Sequence, residues 1–327
     1  MIMVRKRDMA KKLLPLLGIA LFAFIISRID IKGILAIAKN IRWVYVILSI
    51  LIAYIAIYFK ALKWKKIIDY ASMKYSIYNS FLAWLVGFAV GMITPGRVGD
   101  FYRSIYLKTS NKKPLGVCFA TVFFDRILDI MIMLFFAGIG ILYLLLNYDI
   151  PFGKELAIAV VIMFVLGVVF MFVFRENLVR KLVRPLFYKF VPEKYHKDMR
   201  KNYKSFFSLF SGMMKKPSRI IVLVLIGILG WLIAFFEMYV LAMALKLDIS
   251  YMFIGAIAPL INMIELIPVS FSGIGTRDAA MIFFLSLLAI SKEAAVAFSL
   301  LILLVIYLTS LPGIVYWIKH PTELPEK

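Results

Sequence analysis

The sequence predicts an all-α polytopic membrane protein with about seven transmembrane helices and two re-entrant broken helices. Three observations predict it. Hydrophobic residues make up 63% of the 327-residue chain, and mean hydropathy is +0.93, well outside the composition of soluble domains. The apolar residues gather in runs long enough to cross a bilayer core, which takes about 20 of them. Two of these runs instead stop short at a proline and pass straight into glycines and charged residues.

From the N-terminus, Arg5-Lys6-Arg7 precedes an apolar run at residues 12–27. It has the charge and length of a signal peptide but no small-x-small cleavage site, so a retained first span is expected. Residues 28–42 carry Arg28, Lys32, Lys39 and Arg42, with Ile31, Ile34, Leu35 and Ala38 at helical spacing, which predicts a short interfacial helix. A second span at 43–59 ends in the basic run Lys60, Lys63, Lys65 and Lys66.

The first broken helix occupies 79–103. Its apolar part, 80–93, is about 21 Å long at roughly 1.5 Å per residue, against a bilayer core of about 30 Å. Pro95 removes a backbone donor and drives Thr94 towards an extended conformation. Gly96 and Gly99 permit angles that other residues resist. Arg97, Asp100 and Arg103 follow at once. Non-helical, charged backbone at membrane depth is tolerated only in protein or beside water, so a re-entrant hairpin lining a polar cavity is expected.

Next comes an apolar stretch at 115–146, interrupted by Asp125, Arg126 and Asp129; the spacing places Asp125 and Asp129 on one helix face, a structural or gating network. Spans follow at 155–174 and 218–245, the second containing Glu237. Between them, 175–217 holds twelve Lys/Arg against three acidic residues. Two basic amphipathic faces, one at 178–190 and one running from Tyr203 to Met214, suit a membrane surface. The second broken segment, 251–278, includes PLINMIELIPVSFSGIGTRD: an apolar run with Asn262 and Glu265, then Pro268, Gly273, Gly275, Arg277 and Asp278. Asn262 is expected to hydrogen-bond between helices, and Glu265 to line the cavity. Closing spans are expected at 279–291 and 294–318. The chain thus reads as one transmembrane domain, 1–327, with halves at 1–174 and 218–318.

Net charge is +21. The segments 5–12, 60–74, 97–113 and 175–217 hold 27 of the 39 Lys/Arg. All four lie on the cytoplasmic side, with the N-terminus, only if the first broken helix returns to the face it entered. The second hairpin would then enter from the opposite face, as in an inverted repeat with its site at the repeat interface. The single cysteine, Cys118, and the distant pair His196 and His320 leave no metal-ligand cluster or nucleophile–base pair in view. No nucleotide-binding motif is present either. Hence no catalytic residue, metal, cofactor or nucleic-acid partner is expected. The partners are anionic or lipid-linked headgroups of the membrane, with a homo-oligomer or a separate lipid-modifying enzyme as further candidates.

These motifs resemble a known family. Thr94-Pro95-Gly96-Arg97-Val98-Gly99-Asp100 looks like the T-P-G-x-x-G-E signature of the lysylphosphatidylglycerol synthase transmembrane region, a flippase-like family. Asp125-Arg126-Ile127-Leu128-Asp129 is similar to its E-R-x-x-D element, and Gly273 to Asp278 to its G-x-G-x-R-E element. Asp replaces Glu at Asp100, Asp125 and Asp278, which shortens each carboxylate by one methylene. No soluble aminoacyltransferase domain is seen in the 327 residues, so lipid lysylation by this chain is not implied. The resemblance implies a translocase of lipids or lipid-linked sugars, multi-pass in the cell membrane. Its headgroup site would be formed by Thr94, Pro95, Gly96, Arg97, Gly99, Asp100 and Arg103 together with Gly273, Gly275, Arg277 and Asp278. Asp125, Arg126, Asp129, Glu237 and Glu265 would form a network or gate. The alternative is an accessory membrane subunit in lipid modification or lipid-linked glycosylation.

Overall fold

A computed structural model describes residues 22–28, 30–150, 153–173, 196–266 and 273–322. Among them every regular element is helical. The elements are α1 (Ile31–Lys39), α2 (Trp43–Tyr70), α3 (Ile77–Met92), a 3₁₀ segment (Pro95–Tyr102), α4 (Arg103–Asn111), α5 (Leu115–Asn147) and α6 (Gly153–Val173). They continue with α7 (His196–Met214), α8 (Pro217–Ala244), α9 (Tyr251–Leu266), α10 (Thr276–Ser286) and α11 (Lys292–Lys319). Four of these, α2, α5, α8 and α11, are long and apolar enough to cross a membrane among the described residues.

Helix α11 fixes the frame. At 28 residues it is about 42 Å long, and each end touches a different part of the chain. Its start lies beside α1, where Gly33 approaches Glu293; α1 runs into Arg42, whose N–H donates to Ala244 O at 2.9 Å. Its far end meets the arms of the first broken helix: Tyr78 and Tyr316 share a hydroxyl–hydroxyl bond of 3.1 Å, and Tyr106 OH donates to His320 O at 2.7 Å. The short helix expected in this stretch is present as α1, with Asp30 capping it by accepting from Lys32 N.

The first hairpin breaks where the sequence places the break. Helix α3 ends at Met92, Thr94 is extended (φ −112°, ψ 134°), and the 3₁₀ segment begins at Pro95. The chain then runs back along α3, and Lys74 N–H donates to Asn111 Oδ1 at 3.0 Å, so both feet lie at one end of the bundle. The second hairpin consists of α9 and α10, with 16 and 11 residues. It leaves from the end shared by Ala244 and returns to the start of α11, so it enters from the opposite face. The expected closing span at 279–291 is therefore the returning arm α10, which at about 17 Å is too short to cross. Pro268 and the two serines at 270 and 272, and the amphipathic stretch at 178–190, lie outside the described residues.

Small residues let the hairpins dock closely. A Cβ on Gly313 of α11 would fall 2.3 Å from Leu85 O of α3, and one on Gly140 of α5 would fall 2.3 Å from Ala256 O of α9. Two other expectations give way. Helix α2 does not end at residue 59 but continues to Tyr70, so Lys60 and Lys63 sit inside it. The apolar face of α7 does not rest on lipid: Phe210 and Met213 are buried against Ile67, Phe124 and Leu223 of the bundle, because protein surface is available to cover that face.

Candidate functional site: two hairpin tips and a buried ionic lattice

At the first tip, Thr94 holds the broken backbone. Its hydroxyl donates towards Val90 O and Gly91 O, both at 3.1 Å, and accepts from Gly99 N at 2.8 Å. Gly99 is required here by space rather than by its torsion angles: a Cβ would lie 2.4 Å from Val90 C and O. Arg97 carries the unusual torsion instead, with φ of 55°. Pro95 and Gly96 open the 3₁₀ segment. At the second tip Gly273 and Gly275 have φ of 76° and 84°. A Cβ on Gly273 would also sit 2.8 Å from Glu265 Cγ, so glycine is needed there on both grounds.

Arg97 and Arg277 do not pair with the acids that follow them in the chain, Asp100 and Asp278, but with a partner from elsewhere. Arg97 Nη2 lies 3.1 Å from Glu265 Oε2, and Arg277 Nη1 lies 3.4 Å from Glu265 Oε1. One carboxylate therefore bridges two guanidinium groups, one from each hairpin. Arg277 Nε also donates to Ser299 Oγ of α11 at 2.8 Å. Asp278 is occupied locally, with Oδ2 accepting from Gly275 N at 2.8 Å and capping α10. Asp100 instead faces Arg126, whose Nη1 is 3.1 Å from its Oδ2.

Below the first tip lies a lattice of six charges. Lys63 Nζ contacts Asp125 Oδ1 at 3.0 Å and Asp129 Oδ1 at 2.5 Å. Arg103 Nη2 meets Asp125 Oδ2 at 2.5 Å, and its guanidinium stands over the Trp64 ring at 4.8 Å. Arg126 reaches Asp125 and Asp129, both at 3.8 Å, besides Asp100. Trp231 Nε1 donates to Asp129 Oδ1 at 3.3 Å. Three cations thus meet three acids, as burial demands. Asp125 and Asp129 do share a face, as the sequence indicates. Arg103, grouped with the first tip on sequence, belongs to this lattice, and so does Lys63, which the sequence reading assigned to an interfacial run. The signal was in the spacing: Lys60, Lys63, Trp64 and Ile67 recur three and four apart on one face.

Between the tips and α2, α3, α8 and α11 lies a cavity of about 150 Å³. Arg97, Arg277 and Glu265 line it, with Lys60, Glu237, Asn262, Trp84, Phe88, Trp231 and Thr309. Lys60 Nζ stands 3.7 Å over the Trp231 ring and 5.9 Å from the Trp84 ring centre. Among the described residues Asn262 makes no bond across helices; its amide donates to Ala258 O in its own helix at 2.8 Å, an acceptor one turn back.

The model of the lysylphosphatidylglycerol synthase TM region matches residues 13–313. The chain belongs to that family. Among its relatives, a UPF0104 membrane protein of Methanocaldococcus jannaschii is 25% identical over 303 residues, covering 90% of this chain and 89% of the relative. Another UPF0104 membrane protein, from Methanothermobacter thermautotrophicus, is 25% identical over 266 residues, 78% of each chain. The match takes in both hairpins, so this member of the lysylphosphatidylglycerol synthase transmembrane family is a multi-pass membrane protein; of its motif residues, Arg97 and Arg277 line the cavity.

Proposed function

We propose that this chain moves a phosphate-bearing lipid headgroup, free or linked to a sugar, between the two leaflets. One observation supports the reading above the rest: Arg97 and Arg277, on hairpins that enter from opposite faces, converge on the same Glu265 carboxylate. A guanidinium is a planar fork of donors matched to phosphate oxygens. A phosphate in the cavity would compete with Glu265 for both forks, and losing the bridge would let the tips part. The cavity is smaller than the roughly 300–1,000 Å³ that encloses a whole small molecule. It therefore suits a headgroup, with the acyl chains left in the bilayer. Following the positive-inside rule, the end bearing Lys74, Lys112, Lys113, Lys215 and Lys216 is cytoplasmic, and so is the N-terminus. The test is transbilayer movement of a fluorescent phospholipid in reconstituted vesicles. Arg97→Ala and Arg277→Ala should each abolish it while the purified protein stays monodisperse. Full activity in both variants would remove the phosphate role.

A further inference from the structure

Charge is distributed unevenly between the two ionic groups. In the lattice, Lys63, Arg103 and Arg126 are matched one for one by Asp100, Asp125 and Asp129. The cavity is different. Its lining carries three cations, Lys60, Arg97 and Arg277, and two acids, Glu237 and Glu265. Glu265 is taken by the two arginines. Neither Lys60 nor Glu237 makes an ion pair among the described residues, and what holds the ammonium is the face of Trp231. Cation–π contact orients a charge without neutralising it. The indole Nε1 of Trp84, on the same wall, is buried with no acceptor among the described residues, although buried indole donors normally find one.

We infer that Lys60 is a third anion contact and that the cavity selects anionic phosphate headgroups over zwitterionic ones. A phosphodiester bearing a neutral polyol or sugar brings negative charge to a site where cations outnumber engaged carboxylates. A zwitterionic headgroup brings no net charge and leaves the surplus standing in a low-dielectric site. The Trp84 N–H offers a neutral donor to the same phosphate. This selectivity rests on the cavity being the headgroup site proposed above; it adds the lysine and the charge class.

Two readouts separate this inference from transport itself. The first is intrinsic tryptophan emission, since Trp84 and Trp231 line the cavity. Purified protein in detergent is titrated with short-chain phosphatidylglycerol, phosphatidylethanolamine or phosphatidic acid. The second is movement of the same three lipids in vesicles. Phosphatidylglycerol should bind on the order of tenfold more tightly than phosphatidylethanolamine, a ratio in line with one hydrogen bond to a charged group. Lys60→Gln should erase that ratio by weakening the anionic lipid alone, and Lys60→Arg should keep it. Equal binding of the zwitterion by the native protein would overturn the inference. So would an unchanged ratio in Lys60→Gln. Selective binding without movement would refute transport and leave the charge assignment standing.

Discussion

Replacing Lys63 with Met distinguishes a buried lattice from an interfacial basic run. Lys63 is fully buried in α2 and is the closest cation to Asp129, at 2.5 Å. After its loss, Asp129 would keep, among the described residues, Arg126 at 3.8 Å and the Trp231 N–H at 3.3 Å. Asp125 would keep Arg103. Removing one partner of a buried ion pair costs about 3–5 kcal/mol, because the other charge stays behind without compensation. At about 2–4 °C per kcal/mol for chains of a few hundred residues, the unfolding midpoint should fall by roughly 6–20 °C. The single cysteine supplies the assay. Cys118 is fully buried, so a thiol-reactive fluorophore reports unfolding without further engineering. Lys65→Met is the control: its pair with Asp69 is a partly exposed i,i+4 contact, worth about 0.3–0.5 kcal/mol. The double variant Lys63→Met, Asp129→Leu should recover part of the loss, since whole buried pairs can be replaced by apolar residues at little cost. If Lys63→Met shifted the midpoint no more than Lys65→Met does, the lattice would not be holding the bundle together.

The other expectations are briefer. Arg97→Ala and Arg277→Ala should stop lipid movement, and Lys60→Gln should remove the preference for anionic headgroups, as measured in the vesicle and titration assays above. Gly99→Ala, whose Cβ would collide with Val90 backbone, should cost about 1–3 kcal/mol as overpacking in the thiol-dye assay; Gly138→Ala, with open space around it, should not destabilise. Single cysteines in a Cys118→Ser background should label from one face at residues 74 and 111 and from the opposite face at 250 and 290. Labelling of 74 and 111 from different faces would rule out the first hairpin.

The backbone was the legible part of this protein. A helix of 16 residues ending at Thr94-Pro95 cannot cross, and it does not. Covalent constraints at Pro95 act within a few residues, so a single sequence carries them in full. The pairing of charges was not legible, because it is set by tertiary distance. Arg97 and Glu265 are 168 positions apart, and Lys63 and Asp125 are 62 apart. Arg277 and Asp278 are adjacent in the chain, yet Asp278 occupies the third helical position of α10, where capping the Gly275 N–H is the local use for its carboxylate. The lysines at 60 and 63 misled for another reason. Four lysines in seven residues resemble a helix end, and only their separation into two faces shows that half of them turn inward.

The geometry also indicates which contacts give way if the tips separate. Lattice contacts run as short as 2.5 Å and are closed on three sides by Lys63, Arg103 and Arg126. The Glu265 bridge is longer, at 3.1 and 3.4 Å, and its Arg97 side chain is 27% exposed. Arg97 also sits at φ of 55°, a left-handed conformation that costs a non-glycine residue roughly 1–2 kcal/mol. That strain persists only while surrounding contacts hold it, and among the described residues the ionic contact of Arg97 is the one to Glu265. An incoming phosphate that replaced Glu265 would relieve a strained residue and unlink two hairpins in one exchange, while the lattice beneath kept its own charges matched. On the proposed reading, the first movement therefore belongs to the 3₁₀ segment and not to the crossing helices. Spin labels at residues 98 and 264 should separate when phosphatidylglycerol binds, and labels on α2 and α8 should hold their distance.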